Sequence, residues 1–300
     1  MPIQFSPEWM DAVCIKGDWG ISVSQDKDQN LEGVLVYHIR KYRGFTFILM
    51  PPLTFYNGIY IKYRSNIKEH SKITFENKIT EKLISQLPKH DLYYQQFHPQ
   101  FSNWSSLYWK GFSQTTRYSY IIDCHKEDLW SSLKGNVRRN IKKAEIECDI
   151  ESCSFDKFWE SVVQAFKLRN KSVPFNKVVL QNLVMAMQKI EAGKITICRH
   201  KKTKEILAGN FIVTDKLSSY YVCGFYNPKG KEIGALSYLL WQNINTAPSK
   251  IFDFEGSMIK DVEYFFRAFG GSLCPHSRIS KVHNPLLKFL LKFKKVDFLE

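Results

Sequence analysis

Residues Phe252–Gly271, FDFEGSMIKDVEYFFRAFGG, read as strand, turn and helix. Asp253 and Glu255 stand two apart and share one face of the strand, while Phe252 and Phe254 take the other. Gly256-Ser257 breaks the strand. A helical run then sets Val262, Phe265, Phe266 and Phe269 on one side, and Gly270-Gly271 stops it. Two carboxylates at a strand end suit a site that holds or moves a proton. A capped turn with a solvated acidic rim accounts for the same residues equally well.

Around this stretch the chain has the composition of a globular protein. Its 300 residues are 44% hydrophobic, with 22 Phe, 15 Tyr and 7 Trp, enough for a sizeable core and room for two domains of ordinary size. No apolar run reaches the length of a membrane span, and the N-terminus lacks the basic-then-apolar pattern of a signal peptide, so the expected location is the cytoplasm. The 7 cysteines are scattered without a C-x-x-C, and the 8 histidines form no H-x-x-x-H pair, so reduced thiols and no metal site are expected. A net charge of +14 favours anionic partners: nucleic acid, an anionic membrane face, or substrates bearing phosphate or carboxylate.

The pattern divides into an expected first domain over 1–150 and a second over 151–300. In the first, strands are expected at 34–40, 45–50, 93–97 and 118–123, with an amphipathic helix over 72–87. Met50-Pro51-Pro52 ends a strand because proline removes a ladder donor. The aromatic stretch 98–112 reads as a loop packed down by its own rings. Glu127–Glu147 reads as a basic helix that Gly135 and Asn136 could kink or split. Trp130, Leu133, Val137, Ile141 and Ala144 share its apolar face, and Lys134, Arg138 and Lys142 form a neighbouring stripe with Arg139 and Lys143 beyond it. Those cations, without acids to pair them, suit a phosphate-binding ridge.

The second domain reads as two helices, a three-strand meander (194–199, 206–214, 218–226), a helix from Ala235, a short strand, the helix of the opening stretch and a last strand. That order implies an α+β fold in layers, a sheet flanked by helices. The tail NPLLKFLLKFKKVDFLE is a basic amphipathic helix. It is suited either to docking on its own protein or to lying on the inner face of an anionic membrane.

Four segments in order resemble the Fem-type acyltransferases, a branch of the GNAT superfamily: Met50–Thr54 to Gly58, Trp109–Phe112 with Tyr118–Asp123, the Asn136–Ala144 run NVRRNIKKA, and Asp253–Gly271. The resemblance implies two GNAT-like units, each a mixed, largely antiparallel sheet with flanking helices. It implies transfer of an acyl group from acyl-CoA to an amine of a small or cell-envelope-related acceptor. The alternative it implies is transfer of an amino acid from aminoacyl-tRNA to a peptidoglycan precursor. A third possibility is a non-catalytic basic binding protein on the same fold.

In a GNAT unit, amides at a helix start bind the CoA pyrophosphate, which here implicates Lys231, Gly234 and Ala235; the phosphate-loop pattern matches only at Gly234. Amine attack on an activated carbonyl needs a proton acceptor, for which Asp253 or Glu255 is expected. Arg267 and strand amides would face the oxyanion, and Tyr220 and Tyr221 would orient or protonate the leaving group. Arg138, Arg139, Lys142 and Arg169 would hold phosphates or carboxylates.

Overall fold

The computed structural model describes residues 1–63 and 67–293. The chain forms two compact units, one of residues 3–117 together with the segment from Pro275 onward, the other of residues 118–274. The expected boundary at 150 lies inside the second unit. The basic helix carries its apolar face into the second unit's core, and the last strand returns to the first unit, so neither follows a cut at mid-chain.

In the first unit, Ser6 caps α1 (Pro7–Val13) by accepting the Trp9 N–H. The Trp9 ring is fully buried and donates Nε1–H to Thr54 Oγ1 at 2.8 Å. Strands β1 (Asp18–Gln25), β2 (Leu31–Tyr42) and β3 (Phe45–Leu49) form an antiparallel meander, and β4 (Gly58–Ile61) pairs with β2. Helix α2 (Glu69–Ser85) crosses to β5 (Leu92–Gln96), which runs parallel to β3 through Phe47↔Leu92 and Ile48↔Tyr93. The aromatic stretch holds a short helix, α3 (Ser105–Trp109). Phe101 and Phe112 are buried as expected, and so is Leu107, but Tyr108 and Trp109 are exposed.

The chain enters the second unit within β6 (Ser113–Asp123). There follow α4 (Leu129–Ser132), α5 (Gly135–Glu147), β7 (Cys148–Ser152), α6 (Phe155–Leu168), α7 (Lys177–Lys189), β8 (Gly193–His200), β9 (Ile206–Thr214) and β10 (Ser218–Tyr226). Then come α8 (Pro228–Ile233), α9 (Ala235–Asn245), β11 (Ile251–Asp253) and α10 (Lys260–Arg267). The chain returns to the first unit within β12 (Ser272–Val282), which pairs antiparallel with β5, and ends its described part in α11 (Pro285–Phe293).

The second unit's sheet has the order β6-β11-β10-β9-β8-β7, antiparallel except for β10 and β11. Val137, Ile141 and Ala144 of α5 share one buried cluster with Leu239 and Leu240 of α9 and with Phe252, Phe254, Phe266 and Phe269. Burying each such phenylalanine contributes roughly 1.5–3 kcal/mol. This cluster holds the opening stretch in place: Phe254 stacks on Phe266 at 4.8 Å and tilts against Phe269 at 5.4 Å.

Candidate active site

The site begins where two parallel strands part. β10 pairs with β11 only through Ser218↔Ile251, Ser219↔Phe252 and Tyr220↔Asp253. β11 then stops at Asp253, whereas β10 runs on to Tyr226 with its opposite edge still paired to β9. Among the described residues no strand takes up the β11-side edge of β10 beyond Tyr220. The β9 pairing slips between Tyr221 and Cys223, a bulge at the start of that open edge. Backbone groups on an open edge are available to a ligand.

The turn after β11 sets two carboxylates beside this gap. Asp253 is 3% exposed, and its Oδ1 accepts from the Ser119 hydroxyl and, at 2.7 Å, from the Glu255 N–H. Glu255 is 7% exposed and takes a left-handed backbone, φ 55°, with Gly256 also left-handed at φ 60°. A side chain at Gly256 would place its Cβ 2.1 Å from the Tyr118 carbonyl oxygen, so the turn is pressed onto β6. A non-glycine residue in this conformation costs on the order of 1–3 kcal/mol and is held by its surroundings.

Charges and burial keep the neighbouring groups protonated. Burial first, then the charges of Asp215, Asp253 and, more weakly, Glu255, push the Tyr220 hydroxyl up, and that hydroxyl lies 3.4 Å from Asp215 Oδ2. Burial and then the Glu255 charge raise the Cys223 thiol far above its ordinary range. Burial likewise raises the Tyr221 hydroxyl, opposed by the Arg169 guanidinium. The Tyr221 ring packs edge-on to Phe266 at 5.8 Å. Arg169 donates Nε–H to Ala165 O at 3.2 Å and lies over both the Phe166 and Tyr226 rings at 4.5 Å. Cys274 is also raised, to about 11, by burial and then by Asp253.

The expected site residues therefore fall into three places. Asp253 and Glu255 act on Tyr220 and Cys223 of β10, whereas Tyr221, near Arg169, packs on the Phe254–Phe266 side of the same strand. Arg267 is engaged elsewhere: exposed on α10, it holds Glu263 at 2.9 Å and lies over Tyr264. The Tyr120 hydroxyl donates to the same Glu263 carboxylate and, with Arg267, holds it below the usual range. Lys134 sits over Tyr264 at 4.4 Å. On α5, Arg138 caps α4 by donating to Trp130 O at 3.5 Å and Ser131 O at 3.1 Å, Lys142 lies 5.9 Å from the Trp130 ring, and Arg139 is exposed.

The third place, Lys231 to Ala235, differs most from expectation. Gly234 N–H already donates to Gly230 O at 2.9 Å, and a Cβ on Gly234 would lie 2.4 Å from Asn140 Cβ of α5. Ala235, Leu236 and Ser237, the first turn of α9, are buried. The preceding turn is closed as well: Asn227 caps α8 by accepting the Gly230 N–H at 2.7 Å and donates to Glu205 at 2.8 Å. The cause is α8 itself, a helical turn where an open loop was expected, packed together with α9 against the basic helix.

Ser119, Cys223, Tyr226 and Cys274 join the site without having been singled out. Cys223 and Tyr226 lie on the same strand as Tyr221, but the bulge between Tyr221 and Cys223 breaks the alternation that would place them. Ser119 is 134 positions from Asp253, and nothing in the sequence links the two.

No family model matches the chain, and no curated protein sequence matches it. Solved structures do. FemX aligns over 97% of this chain and 94% of its own, with a TM-score of 0.73 at 12% identity. A conserved protein of unknown function from Bacteroides thetaiotaomicron aligns over 92% and 90%, with a TM-score of 0.60 at 12% identity. The C-terminal domain of a putative lysylphosphatidylglycerol synthetase from Agrobacterium fabrum aligns over 90% and 86%, with a TM-score of 0.54 at 11% identity. The chain shares the fold of the FemX structure over nearly its whole length.

Proposed function

We propose that this protein transfers an acyl or aminoacyl group from an activated carbonyl to an amine, on the open edge of β10. The observation that carries this reading is the parting of β10 from β11 beside two buried carboxylates and a protonated tyrosine. The amine nitrogen attacks the carbonyl carbon. A C–N bond forms, and the C–O or C–S bond to the leaving group breaks. Glu255 takes the amine proton, Tyr221 gives one to the leaving atom, and amides of the open edge face the oxyanion. Asp253 holds the turn that aims Glu255, through Ser119 and the Glu255 N–H. Arg169, fixed between two rings beside Tyr221, favours an acceptor with a carboxylate or phosphate, as a cell-envelope precursor has.

Two donors follow from the fold resemblance. The covered start of α9 favours an aminoacyl ester of tRNA over acyl-CoA bound by Lys231, Gly234 and Ala235. Thermal shift with acetyl-CoA, longer acyl-CoAs, and charged against uncharged tRNA separates them. A native-state ligand at a hundred times its dissociation constant adds about 2.7 kcal/mol. Stabilisation by charged tRNA is the expected result. Stabilisation by a CoA restores that donor. A response to neither, with salt-sensitive binding of anions that survives Glu255→Gln, leaves a binding protein on a transferase fold.

A further inference from the structure

α11 docks with one row of side chains and presents another outward. Leu287 is buried, and it joins Leu92, Tyr94, Phe45, Phe47 and Leu291 in a small cluster on the first unit's sheet. The outer row is Leu286, Phe289 and Leu290, exposed by 59%, 58% and 45%. Lys288 is exposed as well, and the sequence adds Lys292, Lys294 and Lys295 without an acid before Asp297. Leading into the same cluster, the turn between β2 and β3 exposes Tyr42 with the Arg43 guanidinium 5.2 Å from its ring. Among the described residues no helix is long and apolar enough to cross a membrane.

We infer that α11 is an interfacial anchor that seats the first unit on an anionic lipid surface, Leu286 and Leu290 entering the acyl boundary and the positive charge of Lys288 and of the lysine-rich sequence favouring anionic headgroups. The inference is independent of the transfer reading. A helix already fixed by Leu287 and Leu291 would have no ordering cost left to meet on binding. Its outer leucines match acyl chains, which polar nucleic-acid backbones do not offer. A second copy fits less well, because pairing two such helices would bring like charges together. An anionic bilayer instead attracts each such cation, by roughly 1 kcal/mol near the surface.

The test is sedimentation of the full chain with vesicles of phosphatidylcholine alone and of phosphatidylcholine mixed equally with phosphatidylglycerol, at low and high salt. Binding to the anionic vesicles, weakened by salt and lowered about tenfold by Leu286→Asp with Leu290→Asp, is expected. Lys288→Glu should lower it less, and both variants should melt at the wild-type temperature because the substituted positions are exposed. Three results overturn the inference: no anionic binding, equal binding to both vesicles, or binding that the leucine variant leaves unchanged. So does a wild-type dimer that the leucine variant makes monomeric without any effect of lipid, since the face then belongs to a second copy.

Discussion

The two units contain the same crossover and complete it differently. Each joins two parallel strands through a helix: β3, α2 and β5 in the first, β10, α9 and β11 in the second. In the first unit β3 ends at Leu49, Pro51 and Pro52 follow, and the chain that comes next fills the gap. Asn57 N–H donates to Gln96 O at 2.8 Å, Gln96 Nε2 to Phe55 O at 3.0 Å and Gln95 Nε2 to Asn57 Oδ1 at 2.6 Å. In the second unit the leading strand continues instead, and the trailing strand turns away at Glu255-Gly256. One copy is sealed by its own amides. The other keeps a backbone edge open beside carboxylates. Where the leading strand stops decides which copy can take a ligand.

The largest test removes the chemistry from the open copy alone. Glu255→Gln keeps the shape of the side chain and loses the proton acceptor. Turnover should fall roughly 100- to 10,000-fold while the unfolding midpoint stays put. Asp253→Asn should do the reverse in part, lowering stability by about 2 kcal/mol because Ser119 and the Glu255 N–H lose a charged acceptor. Full turnover in a folded Glu255→Gln protein would sink the base assignment and make the two gaps functionally alike.

Next in size is the turn that keeps the gap open. Gly256→Ala must hold φ 60° and push a methyl into the Tyr118 carbonyl, whose backbone has little room to yield. Urea unfolding should show a loss of about 3 kcal/mol, the sum of a left-handed alanine and local overpacking. A loss of only about 1–2 kcal/mol, as for a simple left-handed turn, would mean that the turn can lift off β6 and does not fix Glu255.

The sealed copy makes the complementary prediction. Gln95 is fully buried and donates to both Val36 O and Asn57 Oδ1. Gln95→Ala strands those acceptors and the Tyr93 hydroxyl, which donates to Gln95 Oε1. Stability should drop by about 2 kcal/mol, with turnover per folded molecule unchanged. If turnover falls with it, the first unit's gap contributes to the reaction and the contrast between the copies fails.

Much of this was legible in the sequence, and the part that was not has a physical pattern. The apolar face of α5, the meander and the strand-turn-helix from Phe252 follow from local spacing, although the basic helix expected over 127–147 is split into α4 and α5. Strand β1 and helix α8 lacked such a signal: DWGISVSQ alternates weakly, and Pro228-Lys229-Gly230 carries the residues of a turn. The domain division was misread because β12 pairs with a strand from far upstream, which no local pattern encodes. The site divided along the same line. The spacing of Asp253 and Glu255 is local and readable, whereas the pairing of Arg267 with Glu263 one helical turn back and the covering of Gly234 by Asn140, distant in the chain, depend on packing.

The smallest effect separates the units by pH. In the first unit burial lowers His98 from 6.5 to about 4, and burial also lowers His38. Unfolded, both return to the ordinary value, so between about 6.5 and 4 the unfolded chain binds more protons than the folded one. Their contribution to stability is complete above about 6.5 and is lost progressively as the pH falls towards 4. Equilibrium unfolding followed from neutral pH into this window should therefore show a falling midpoint. His98→Gln should flatten the fall, and Glu255→Gln, in the other unit, should leave its histidine part intact. An unchanged slope in His98→Gln would mean that the ring is hydrated enough to protonate in place, and the acid-sensitive element would then lie among His38, His90 and His283, which burial also lowers in this unit.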